Sequence, residues 1–92
     1  MTGQIEKIKV LIADDHPIFR VGLRGLIDQQ ADMQVIAEAG DGAETIRAIA
    51  QHRPDVTLLD LRMPGMDGAQ VIAAVLAQDR QARIIIQKSE AA

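Results

Sequence analysis

The 92 residues contain no cysteine, no tryptophan and no tyrosine, and the only phenylalanine is Phe19. The first absence excludes disulfides, thiolate zinc sites and cysteine nucleophiles. The scarcity of aromatics leaves an aliphatic core of Ile, Val, Leu and Ala, since 48% of the chain is hydrophobic. No apolar run is long enough to span a membrane, and Met1 to Glu6 is too short and too polar for a signal peptide. A cytoplasmic location with no membrane partner is therefore expected. Ten basic and thirteen acidic residues give a formal net charge of −3 without any Lys/Arg stripe, which argues against direct nucleic-acid binding. A chain of this length holds one domain at most and buries about 60–65% of its unfolded surface. It contains no internal repeat, linker or low-complexity segment.

Against this background, the stretch Pro54 to Gly68 stands out. Val56 to Leu59 is a short apolar run bounded by turn signals, which suits a strand buried on both faces. It ends on Asp60, and Pro64, Gly65 and Gly68 then break the chain into a loop. A carboxylate at the end of a buried strand is costly unless it is paired or bound to a metal. In open α/β sheets, ligands bind just outside the carboxyl ends of strands.

A second stretch answers the first. Ile8 to Ala13 reads as a strand ending in Asp14-Asp15. If the two strands are parallel neighbours, their ends lie side by side and three carboxylates converge. Like charges that close require a compensating proton or cation. Hard oxygen ligands with room for water and phosphate oxygens favour Mg²⁺, and Asp60 is then free to act as a nucleophile.

Between and beyond these stretches the chain alternates helix and strand. A first helix starts at Pro17, with Asp15 or His16 at its cap and Phe19, Leu23, Leu26 and Ile27 on one stripe. Gln34 to Ala39 is a strand with Val35 and Ala37 on one face and Ile36 on the other. Ala43 to His52 is a second helix, with Ile46, Ile49 and Ala50 inward. Ala69 to Ala77 is a third, presenting Ile72, Val75 and Leu76. Arg83 to Ile86 is a fourth strand. This alternation means βαβ units and a parallel sheet.

Asp14-Asp15 after the first strand and Leu59 to Gly68 around the third resemble the receiver domain of bacterial two-component response regulators. Ala13 to Arg20 and Glu38 to Glu44 are similar to the subfamily that carries a LuxR-type DNA-binding domain. The resemblance runs from about Ile8 to Ile86. It implies a flavodoxin-like α/β fold with helices on both faces of a parallel sheet, here in the order 2-1-3-4. It further implies phosphorelay signal transduction, in which Asp60 accepts a phosphoryl group from the phosphohistidine of a sensor histidine kinase. Asp15, Asp60 and the backbone carbonyl of Arg62 would hold Mg²⁺, and Asp14 would act through water. The family's chemistry is self-phosphorylation and autodephosphorylation, so the chain is not expected to be an enzyme.

The resemblance departs at the end of the fourth strand. The family carries a Ser or Thr hydroxyl where this chain has Lys88, with Ser89 one residue later. A one-residue slip along a strand flips the face, so Ser89 is no easy substitute. The family's fourth helix, fifth strand with its Lys, fifth helix and DNA-binding output are not among residues 1–92, so a partial receiver domain is expected. The fourth strand would then lie on an exposed edge, a pairing hazard, and a homodimer or an exchange of elements through that edge is expected. The alternative is a non-phosphorylated interaction or dimerisation module derived from a receiver. A small phosphohydrolase is disfavoured because Arg62, not Asp, lies two residues after Asp60. The Gly40-x-Gly42 pair is not a dinucleotide loop, since it follows the second strand and Thr45 replaces the third glycine. His16 reads as a helix-start residue at the site mouth, and His52 as a partner for the negative end of its helix.

Overall fold

The computed structural model describes residues 6–78 and 81–87. The order of elements is β1 (Ile8–Ala13), α1 (Pro17–Asp28), β2 (Met33–Ala39), α2 (Gly42–His52), β3 (Val56–Asp60), α3 (Gly68–Gln78) and β4 (Arg83–Gln87). The strands form one sheet in the order β2-β1-β3-β4, and every pairing is parallel. This is the expected flavodoxin-like arrangement. Lys88 and Ser89, the two candidates for the missing hydroxyl position, lie outside the described residues.

The helices begin and end where local chemistry dictates. Pro17 occupies the first turn of α1, where its missing N–H costs nothing, and His16 is the N-cap without a side-chain capping bond. Asp41 caps α2, its Oδ1 accepting the Glu44 N–H at 2.8 Å. Helix α2 ends at Arg53, which takes a left-handed conformation with φ 49°, ahead of Pro54. Asp67 caps α3, its Oδ1 accepting the Ala69 N–H at 3.0 Å.

Helices cover both faces of the sheet, and β1 shows how. Leu11 and Ala13 join Ala39, Ala48, Ile49, Leu59, Met63, Val71 and Val75 in the core beneath α2 and α3. Val10 and Ile12 join Ile27 beneath α1, with Leu23, Val35 and Leu58 packed against them. The period-2 alternation of a strand thus feeds two cores from one apolar run.

Strand β2 departs from simple alternation. Val10 pairs with Val35 but Leu11 pairs with Ala37, so Ile36 is an extra residue in a bulge. Val35 therefore packs on the α1 side and Ala37 on the α2/α3 side, which corrects the expectation that they share a face. The bulge also sets Glu38 opposite Ile12, on the α1 side.

The helical stripes are rotated from their expected positions. In α1, Ile27 is buried, but Phe19 and Leu26 are exposed. Helical residues turn by about 100° each, which places Arg20 and Arg24 on the far side of Ile27 from Phe19 and Leu26. Both arginines pair with Glu38, so the helix is rolled toward that carboxylate and away from its own apolar stripe. In α3, Val71 and Val75 go inward while Ile72 and Leu76 are exposed. The helix carries two adjacent i,i+4 apolar ridges, and the slimmer one meets the core. In α2, Thr45, Ala48 and Ile49 are buried and Ala50 is exposed.

Candidate functional site

The pairing of β1 with β3 positions the site. Ala13 is opposite Leu59, so Asp14 and Asp60 occupy the next matching step of two adjacent parallel strands. Positions matched across a parallel pair share a face, and the two carboxylates emerge side by side. The Asp14 N–H donates to the Ala39 carbonyl at 2.9 Å, extending the sheet ladder one residue past Ala13. Asp14 and Asp60 are buried, at 2% and 1% exposure, and the Asp15 side chain is one-third exposed at 33%.

Each carboxylate is held differently. Asp14 Oδ1 accepts the backbone N–H of His16 at 2.7 Å. Asp60 Oδ1 accepts the Arg62 N–H at 2.9 Å. Asp60 Oδ2 is buried and has no hydrogen-bond partner. The ligand atoms of Asp14, Asp15, His16 and Asp60 all lie within 4.8 Å of one another. A buried, unpartnered carboxylate oxygen among further hard oxygen donors is a donor set that fits a divalent cation such as Mg²⁺.

The three acids expected from the sequence are therefore brought together. The Arg62 side chain is exposed, and its backbone N–H is what touches Asp60. His16 starts α1 beside the site with a largely exposed ring, as read, and its Nδ1 also lies 3.1 Å from both Asp14 Oδ1 and Asp15 Oδ1. The one available signal was its place directly after the acidic pair. His52 falls in the last turn of α2, as read.

Two supports escaped the sequence reading. Arg20 Nη1 donates to the Asp14 carbonyl at 2.8 Å, while its Nε lies 3.0 Å from Glu38 Oε1. The guanidinium thus ties α1, β2 and the acidic end of β1 together. The second support is Gly42, whose N–H donates to the Pro64 carbonyl at 3.0 Å. Gly65, at φ 66°, takes the left-handed turn that brings the β3–α3 loop onto the start of α2. Met63 is buried in the core and Met66 packs against it.

Comparison with known proteins places this geometry. The family model of the response regulator receiver domain matches residues 10–91. The chain is 47% identical over 83 residues to the Mycobacterium tuberculosis protein named "Probable transcriptional regulatory protein NarL", covering 90% of this chain and 38% of that protein. The solved structure of the signal receiver domain of NarL from the same organism superposes with a TM-score of 0.77 at 47% identity, covering 88% of this chain and 65% of that one. RcsB from Salmonella enterica serovar Typhimurium, bound to a promoter in the presence of the phosphomimetic BeF₃⁻, matches with a TM-score of 0.74 at 31% identity, over 88% of this chain and 41% of that one. The chain thus spans well under half the length of the curated regulators it matches. Receiver domains bind Mg²⁺ at an acidic pocket and are not enzymes of the ordinary kind, and no helix among the described residues is long and apolar enough to cross a membrane. With its sheet order, its three acids at adjacent strand ends and its match over residues 10–91, the chain belongs to the response regulator receiver domain family, among regulators of the NarL type.

Proposed function

We propose that this chain is a phosphoacceptor module in which Asp60 takes a phosphoryl group from the phosphohistidine of a sensor histidine kinase. Mg²⁺ would be held by Asp15, Asp60 and the Arg62 backbone carbonyl, with Asp14 acting through water. The observation that carries this reading is Asp60 Oδ2, buried and without a hydrogen-bond partner. An orphaned buried acceptor costs about 1–3 kcal/mol. That cost has a rationale where the oxygen awaits a cation and a phosphoryl group.

The chain's own residues contribute positioning. The Arg62 N–H anchors Asp60 through Oδ1, leaving the carboxylate in a fixed orientation. Arg20 and the β1–β2 ladder fix the backbone of Asp14. In the transfer, an Asp60 carboxylate oxygen forms a bond to phosphorus as the N–P bond of the phosphohistidine breaks, and the electron pair remains on the kinase's imidazole nitrogen. No proton need come from this chain. A bound Mg²⁺ would supply charge neutralisation for the transferring phosphoryl oxygens.

In this reading residues 1–92 are the receiver portion of a regulator whose output acts on transcription. The names of the similar proteins, among them RcsB bound to promoter DNA, support that role. The test is intact mass after incubation with acetyl phosphate and Mg²⁺, beside an Asp60→Ala control. A gain of one phosphoryl mass in the parent alone supports the proposal. No gain in a folded parent sinks it.

A second reading has its own observation. Among the described residues strand β4 is an edge of the sheet, and Ile85 and Ile86 are half-exposed along it. Such an edge is a template for strand pairing, so the chain can also act as a dimerisation module, with or without phosphorylation.

A further inference from the structure

The placement of His16 goes beyond the three acids. Its Nδ1 is 3.1 Å from Asp14 Oδ1, 3.1 Å from Asp15 Oδ1 and 3.9 Å from the unpartnered Asp60 Oδ2. An octahedral ion with ligands at about 2.1 Å sets neighbouring donors about 3.0 Å apart and opposite donors about 4.2 Å apart. The imidazole nitrogen therefore stands to Asp15 and Asp60, the two acids read as direct ligands, as a further donor of the same coordination shell would, while its contact with Asp14 Oδ1 has the length of a hydrogen bond. It is the only donor in the cluster that is not oxygen. The ring is largely exposed at 59%, His16 makes no side-chain capping bond to α1, and its Nδ1 is within hydrogen-bond distance of Asp14 Oδ1 at 3.1 Å, so the acids and not the helix start hold the ring in place.

We propose that His16 Nδ1 is a direct ligand of the divalent ion, and that this receiver holds nitrogen-accepting first-row ions such as Mn²⁺, Co²⁺ and Ni²⁺ more tightly than its carboxylates alone would. The proposal rests on the reading of the acidic pocket as a cation site. Its chemical basis is ligand preference: carboxylate, carbonyl and water suit Mg²⁺, whereas imidazole adds affinity for the later first-row metals in the order Mn²⁺ < Co²⁺ < Ni²⁺. Deleting the imidazole should therefore cost little for Mg²⁺ and progressively more along that series.

The experiment compares the parent, His16→Ala and Asp60→Asn. Calorimetric titration with Mg²⁺, Mn²⁺ and Ni²⁺ gives the affinities, and electron spin-echo modulation on the Mn²⁺ complex reads ¹⁴N coupling. His16 is exposed and its side chain caps nothing, so circular dichroism should show His16→Ala folded as the parent is. The expected result is ¹⁴N modulation in the parent that disappears in His16→Ala. Ni²⁺ affinity should fall by tenfold or more (on the scale of losing a metal-site contact), with Mg²⁺ affinity changed by less than about threefold. Mn²⁺ bound to the parent without ¹⁴N coupling, at an affinity His16→Ala retains, overturns the inference and leaves the carboxylate site standing. A parent that binds none of the three ions overturns both the inference and the pocket reading beneath it. Equal binding by Asp60→Asn overturns both as well, because the ion would then be held elsewhere.

Discussion

The Gly42 N–H and the Pro64 carbonyl oxygen meet at 3.0 Å, so the loop that follows β3 rests on the first turn of α2. The approach is backbone to backbone. A Cβ on Gly42 would stand 2.1 Å from the Gly65 carbonyl oxygen, a distance that forces the loop away. Gly42→Ala should therefore destabilise the fold by about 1–3 kcal/mol, the usual cost of overpacking. It should also weaken divalent-ion binding, because the displaced loop carries Arg62. Urea denaturation and Mg²⁺ titration check both effects.

Arg20 should matter through what it holds. Its guanidinium bonds the Asp14 carbonyl and pairs with Glu38, and both side chains are about one-quarter exposed. Arg20→Ala should cost about 1.5–3 kcal/mol, the range for a hydrogen bond to a charged group. A double-mutant cycle with Glu38→Ala should show a coupling above about 0.5 kcal/mol. Arg24→Ala should cost less, since Arg24 is half-exposed and an exposed pair contributes little. Equal losses for the two arginines would mean that the Asp14 contact adds nothing.

Asp60 should trade stability for chemistry. Asp60→Asn removes one of three converging charges and gives the orphaned position a donor. In the presence of a chelator it should stabilise the chain by about 1–2 kcal/mol. Adding Mg²⁺ should then raise the stability of the parent, by mass action on the folded state, and leave Asp60→Asn almost unchanged. Thermal melts with and without the ion measure both arms.

How much of this was legible depends on the kind of signal. The acidic ends of β1 and β3 could be read because a carboxylate that closes an apolar run has few structural explanations. The need to bring those ends together asks only that β1 and β3 be neighbours, and the full order 2-1-3-4 came from the family resemblance. The bulge at Ile36 could not be read, because Val35, Ile36 and Ala37 are all apolar and fit either face. The roll of α1 was hidden for a related reason: Phe19 and Leu26 look like core residues until the pairing of Arg20 and Arg24 with Glu38 is known, and that pairing depends on the bulge. In α3, Val71/Val75 and Ile72/Leu76 are equivalent by spacing, and only the shape of the core chooses between them. Gly42 looked like half of a glycine motif, while its use, a backbone contact with a loop more than twenty residues away, is tertiary.

The edge at β4 predicts self-association. Ile85 and Ile86 are half-exposed on a strand whose only partner in the sheet, among the described residues, is β3. Sedimentation velocity of the parent should show a concentration-dependent shift toward dimer, and Ile86→Lys should abolish it, since an edge lysine opposes strand pairing. A parent that sediments as a single monomer across the concentration range would contradict this.

The central claim is that Asp60 is the residue that becomes phosphorylated. Borohydride reduces an aspartyl phosphate to homoserine, so reduction after treatment with acetyl phosphate and Mg²⁺, followed by peptide mass mapping, locates the acyl phosphate directly. The account predicts homoserine at position 60, dependent on Mg²⁺, with Asp14 and Asp15 unmodified. Homoserine at another aspartate, or none anywhere in a protein that remains folded, would contradict it.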